Sequence, residues 1–158
     1  MLSPESLQKI DREVAKYPAE RKESAVMSAL RIAQQERGHL TPEVMEFVAK
    51  YLDMPPVHVF EVATFYTMYD LHPVGRNKIS LCTNLPCALS GARDAAEHLK
   101  QRLGIDWNET TADGRFTLKE GECFGACGDA PVLVLNNTKM EIGMTRERID
   151  ALLAELAK

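Results

Sequence analysis

Four cysteines are the only side chains whose spacing suggests shared chemistry: Cys82 and Cys87 as C-x4-C, then Cys123 and Cys127 as C-x3-C, with 35 residues between the pairs. A thiol can close a disulfide, attack as a nucleophile or bind metal as a thiolate. The second pair lies in "GECFGACGDAPVLVLNN", residues 121 to 137, beside Phe124, Gly125, Ala126 and Gly128. None of these is a base that could activate a nucleophile. Glycine and alanine instead let the backbone come close and offer amide donors to sulfur, although each glycine taken alone also suits an ordinary loop.

The spacing leaves the ligand open. Structural zinc uses cysteine pairs separated by two to four residues, most often two. The wider loops here suit two irons that take two thiolates each, so a 2Fe-2S cluster, a zinc ion and unligated thiols all stand at this point. A dithiol oxidoreductase would use C-x-x-C, which neither pair is. His39, His58, His72 and His98 are all remote in sequence from the cysteine loops, which argues against a Rieske centre. His58 and His98 read as surface or packing residues. Ser90 has no neighbouring base and reads as a helix-start residue.

Composition narrows the setting. The chain has 158 residues, enough for one or two domains that bury about 70% of their unfolded surface, and its 45% hydrophobic and 27% charged content is that of an ordinary globular protein. The net charge of -4 is weighted toward the N-terminal half, with 8 basic and 11 acidic side chains in residues 1 to 75 and 11 and 12 after them, and neither half is a phosphate-binding surface. No apolar run approaches the roughly 18 residues of a membrane span. The segment "MLSPESLQKIDREVAKYP" lacks a signal-peptide core and the arginine-rich, acid-poor look of a transit peptide, so a reducing cytoplasm is expected, where cysteines serve metals or redox chemistry. Neither G-x-G-x-x-G nor G-x-x-x-x-G-K-[ST] occurs, and with them goes a nucleotide site of the chain's own. Residues 41 to 66 can be read as helix, turn, helix, but the second helix, "VHVFEVATFY", has no Lys or Arg to touch DNA, so an iron-sulfur DNA-binding regulator is a remote reading.

The elements that must position the cysteines follow from periodicity. Residues 1 to 75 read as a small helical array: Ser3-Pro4 starts a helix with Leu7, Ile10, Val14 and Tyr17, a second carries Val26, Ala29, Leu30 and Ala33 to Gly38, and Thr41-Pro42 opens a third. "VHVFEVATFYTMY" begins as a fourth, and His72-Pro73 with Gly75 breaks it. Residues 76 to 158 change period. "NKISLC" and "GRFTLKEGEC" read as strands, residues 91 to 103 as an amphipathic helix between them, "VLVLNN" and "KMEIG" as a hairpin, and Thr145 as the cap of a last helix with Ile149, Leu152, Leu153 and Leu156 inside. The order βαβ then ββα, with a right-handed crossover, predicts an α/β fold: an N-terminal helical arm, then a mixed four-stranded sheet of the thioredoxin-like plan. Parallel first strands would bring both cysteine pairs to one end of the sheet. The isomer of the Ala130-Pro131 bond stays open.

"LHPVGRNKISLCTNLPCALSGA" together with "CFGACGDAPVLVLNN" resembles the thioredoxin-like 2Fe-2S subunit of NADH:quinone oxidoreductase, respiratory complex I, the subunit called NuoE in bacteria. The resemblance spans nearly the whole chain, including "EVATFYTMY". It implies Cys82, Cys87, Cys123 and Cys127 as ligands of one 2Fe-2S cluster, and a flavoprotein partner carrying FMN and NADH, with other peripheral-arm subunits beyond it. It also implies a cytoplasmic place on a membrane-attached complex, without membrane insertion. Related subunits in soluble NAD-linked hydrogenases and formate dehydrogenases are the alternative. Residues 76 to 158 would be the cluster domain and residues 1 to 75 a partner-docking region. The stripe Leu7, Ile10, Val14 and Tyr17 and the pairs Phe65-Tyr66 and Met68-Tyr69 are the apolar surface expected for docking.

Overall fold

The computed structural model describes residues 1–157 and divides the chain into two compact units, Met1–Pro73 and Val74–Lys158. The first unit is helical. In α1 (Pro4–Val14) the Ser3 side chain accepts the Ser6 amide at 3.2 Å, while Glu36 accepts from both the Ser3 amide and hydroxyl. A 3-10 segment (Ala19–Ala25) leads into α2 (Val26–Arg37), which ends at Gly38 with φ +81°. Thr41 caps α3 (Pro42–Leu52), Asp53 closes it in the left-handed region, and α4 (Pro56–Phe65) follows directly.

These helices share one core of their own, with Ile10, Leu30, Leu40, Val48, Leu52 and Val59 at its centre. The stripe on α1 is part of that core: Ile10 is 1% exposed, Leu7 and Val14 pack against the same cluster, and only Tyr17 lies open. A helix this short cannot hold itself together in water, and burying the stripe is what stabilises it. That corrects the expectation of the stripe as a free docking surface. Tyr69 is likewise buried, its hydroxyl donating to the Met27 carbonyl at 2.8 Å, whereas Phe65 is 75% exposed.

The second unit has two layers. Its sheet runs β2-β1-β3-β4, from β1 (Asn77–Cys82), β2 (Phe116–Gly121), β3 (Leu133–Leu135) and β4 (Lys139–Glu141). β1 and β2 are parallel, with Asn77 opposite Phe116 and Cys82 opposite Gly121, and β3 and β4 add antiparallel neighbours. After β1 come the short α5 (Leu85–Cys87), a π-type turn (Ala88–Ala92) and α6 (Arg93–Leu103), and α7 (Arg146–Leu156) ends the chain. Ala95, Ala96 and Leu99 of α6 and Ile149, Leu152 and Leu153 of α7 bury one face of the sheet with Ile79, Leu81, Leu118 and Leu133. Alternation along β1 sends Ile79 and Leu81 to this core, as a period of two requires. Asn136 and Asn137, at φ 51° and 58°, turn the β3–β4 hairpin.

Gly75 fixes the start of this unit. A Cβ there would lie 2.9 Å from the Phe116 backbone, so only glycine lets the chain enter β1 so close to β2, and its amide donates to Thr117 Oγ1 at 2.6 Å. No helix among the described residues is long and apolar enough to cross a membrane.

Candidate metal centre

The parallel register sets where the cysteines go. Cys82 is the last residue of β1 and faces Gly121 at the end of β2, so both following loops leave from the same end of the sheet. The Cys82 amide donates to the Val132 carbonyl and the Thr83 amide to the Gly121 carbonyl, each at 3.0 Å, pinning the strand end on both sides. Asn84 then starts α5, its side-chain oxygen accepting the Leu85 amide at 2.8 Å and its carbonyl the Ala88 amide at 2.9 Å. The turn carries Cys87 inward and leaves Leu85 and Leu89 outward, 67% and 81% exposed. Ser90 donates its hydroxyl to the Pro86 carbonyl at 2.9 Å, and Gly91, at φ +98°, redirects the chain into α6.

The second loop is held differently. Gly121 gives room for the Phe124 ring, which a Cβ at that position would strike. Gly125, at φ +74°, points its amide at Cys123 Sγ across 3.4 Å. The Asp129 carbonyl accepts from Gly143 and the Pro131 carbonyl from Met144, at 2.8 and 2.9 Å, and the Ala130–Pro131 bond is cis.

The two pairs therefore differ in surroundings. Cys82 and Cys87, each 1% exposed, form a small apolar cluster with Ala92 and Val132, against which Phe124, Ala126 and Ala130 pack. Cys123 and Cys127 are exposed, and all four thiols are free of disulfides. Burial pushes the Cys87 thiol up to about 11, helped by its hydrogen bond with Cys82 and by the charge of Cys82; the Val132 amide, bonded to its sulfur, pulls the other way, and Cys127 adds a weaker upward push. Cys82 Sγ lies 3.3 Å from the Glu122 carbonyl, to which it donates. So the structure brings Cys82 and Cys87 into contact and sets Cys127 within electrostatic reach, while Cys123 keeps the Gly125 amide. Among the described residues, no three Cys, His, Asp or Glu side chains close around a single ion.

Other residues singled out in the sequence lie elsewhere. His98 sits on α6 with Nε2 3.0 Å from Asp150 of α7, which also accepts from Arg102 at 2.9 Å, so its role is to join two helices. His58 is exposed on α4, and the Ser90 hydroxyl donates to the Pro86 carbonyl within its own turn. Sequence reasoning missed Val132 and Phe124. Val132 reaches the site through its backbone, about which side-chain type says nothing, as well as through its buried side chain; the signal for Phe124 was the glycine three residues before it.

The donor set fits a 2Fe-2S cluster. It offers four sulfurs in two pairs, as two irons require, and amide donors from Gly125 and Val132 directed at sulfur. Fold and site together define a class, a thiol-rich metal-binding domain on the thioredoxin-like plan. The family model for the thioredoxin-like [2Fe-2S] ferredoxin matches residues 10–157, and the chain belongs to that family. One 2Fe-2S cluster is its cofactor. The chain is 44% identical over 144 residues to an NADH-quinone oxidoreductase subunit of Rickettsia bellii, covering 90% of this chain and 86% of the relative. It is 39% identical over 147 residues to NADH-quinone oxidoreductase subunit 2 of Thermus thermophilus, with 93% and 81% covered. Among solved structures, an NAD+-reducing [NiFe]-hydrogenase in the H2-reduced state superposes with a TM-score of 0.68 at 23% identity, over 81% of this chain. The chain spans about a fifth of that hydrogenase chain, 22%, and the likeness is one of fold.

Proposed function

We propose that this chain is an electron-carrier subunit of NADH:quinone oxidoreductase, with Cys82, Cys87, Cys123 and Cys127 holding its one 2Fe-2S cluster at the NADH-oxidising input end. The observation that carries the reading is the delivery of both cysteine pairs to one end of the β1–β2 pair, in a chain 44% identical over nearly its whole length to a subunit of that oxidoreductase. When bound, such a cluster supplies one-electron transfer with no bond made to a substrate. The protein's part is to bind and shield. Cys82 and Cys87 lie buried in a small apolar cluster against which Phe124 packs, and the Gly125 and Val132 amides stabilise negative sulfur.

With no dinucleotide fingerprint in the chain, NADH and FMN belong to a partner flavoprotein with which it exchanges single electrons. Other subunits of the peripheral arm complete the assembly, which places the chain on the cytoplasmic side of the cell membrane without entering it. Residues 1 to 75 serve docking, through exposed Val57, Phe65 and Tyr66 of α4 and its end. Residues 76 to 158 form the cluster domain.

A second reading is a diaphorase-type subunit of a soluble NAD-linked hydrogenase, which the 0.68 TM-score to a hydrogenase chain favours on fold alone. Purifying the native complex and identifying its companion chains separates the two: quinone-reductase subunits are expected, and a hydrogenase large subunit would reverse the choice. The isolated chain should oxidise no NADH until a flavoprotein is supplied. Saturable NADH turnover by the chain alone would overturn the carrier role.

A further inference from the structure

The four thiols are unequal before any metal arrives. Cys82 and Cys87 are 1% exposed, covered by atoms of the chain itself, whereas Cys123 and Cys127 stand open on the loop after β2. Phe124, which with Ala126 and Ala130 packs against the cluster that holds the buried pair, is on that same loop, between the two exposed cysteines, and its ring rests against Gly121. Anything that draws Cys123 and Cys127 outward therefore also lifts the ring from the buried pair. The base of the site moves less freely, because the Cys82 amide is tied to Val132 and α5 fixes Cys87.

We infer that the two cysteine pairs take up the cluster in a fixed order, exposed Cys123 and Cys127 first and buried Cys82 and Cys87 second. The inference rests on the ligand assignment proposed above and adds to it a sequence of events and a class of donor. That donor holds a 2Fe-2S cluster with accessible thiolates of its own, so that ligands can be exchanged one at a time. In each exchange a protein sulfur forms a bond to iron and a donor sulfur loses one, while the protein thiol's proton passes to the departing thiolate. No electron changes hands. The exposed pair makes the first two exchanges, Phe124 swings off Gly121 with its loop, and the buried pair displaces the last two donor thiols and closes the site away from water.

Two measurements test the order on the full-length chain. Metal-free protein is treated with iodoacetamide and labelling is followed at each cysteine by mass spectrometry. Cys123 and Cys127 should label at least about tenfold faster than Cys82 and Cys87, since labelling of a covered group must wait for local opening. Phe124→Ala should narrow that gap. Equal rates at all four cysteines, or faster labelling of the buried pair, overturn the inference. Next, a glutathione-bound 2Fe-2S complex is mixed with the chain and adducts are read by native mass spectrometry. Cys82→Ser/Cys87→Ser should still capture the complex with glutathione attached, and Cys123→Ser/Cys127→Ser should capture none. The reverse result, or equal loss in both variants, contradicts the order. Failure of the ligand assignment looks different: wild-type chain would then take up no cluster from this donor or from iron and sulfide, whatever the labelling rates.

Discussion

At the scale of single residues, the site is defined by what surrounds sulfur. Cys87 owes its raised value, about 11 against an ordinary 9.0, first to burial and then to Cys82 beside it. The unfolded chain releases this proton first as pH rises, so the group's contribution to stability is complete below about pH 9 and is lost on the way to about pH 11. Metal-free protein should therefore lose thermal stability over that window, and Cys87→Ala should lose less; parallel pH profiles of the melting temperature for both proteins would remove this role from Cys87. Iron binding must displace the same proton, so loading from iron salt and sulfide at neutral pH, with no donor thiolate to take it up, should release protons, measurable in weakly buffered solution. The four ligand candidates were legible from spacing alone, because C-x4-C and C-x3-C are sequence facts. Their division into a buried and an exposed pair was not. It depends on Phe124 folding back over Gly121, for which that glycine is the one mark, and on Val132 arriving from the segment just before β3, which leaves no mark near the cysteines.

At the scale of elements, β1 was readable to the residue, as "NKISLC" matches Asn77–Cys82. Its neighbours are all in place: β2 parallel, the hairpin turned by Asn136 and Asn137, and α7 capped by Thr145, whose Oγ1 accepts the Arg148 amide at 3.4 Å. The approach to α6 was not readable. Ala92, Ala95, Ala96 and Leu99 continue one apolar period, which hides the break at Ser90 and Gly91 where the chain leaves the Cys87 turn. A hydrophobic pattern reports which face is buried and is blind to a local change of backbone direction. The Ala19–Ala25 segment escaped for a related reason, since seven mostly charged residues carry no period. α6 packs onto the sheet through Leu99, which is fully buried beside Ile79, Leu81 and Leu118. Leu99→Ala should cost about 2–5 kcal/mol of domain stability, read by denaturant unfolding of metal-free protein. Gly75→Ala should cost about 1–3 kcal/mol, because its new methyl meets backbone that cannot step aside. If either variant matched wild type, the packing described for that element would be wrong.

At the scale of the whole molecule, each unit has its own core, and all four cysteines belong to the second. The helical unit exposes Val57, Phe65 and Tyr66, apolar surface that suits a partner, which is why docking is its proposed work. A chain lacking residues 1 to 73, which keeps Gly75 in place, should fold, load its cluster and lose stable association with the flavoprotein; co-purification as tight as full length would refute the docking role, and failure to fold would show that the arm is needed for structure. The central claim, that this chain holds one two-iron cluster on four thiolates, is tested most directly by iron and acid-labile sulfide analysis of anaerobically purified protein, read with its visible and EPR spectra. Two irons and two sulfides per chain are expected, with an absorption band that bleaches on reduction and an EPR signal that appears with it. One zinc and no sulfide would contradict the account.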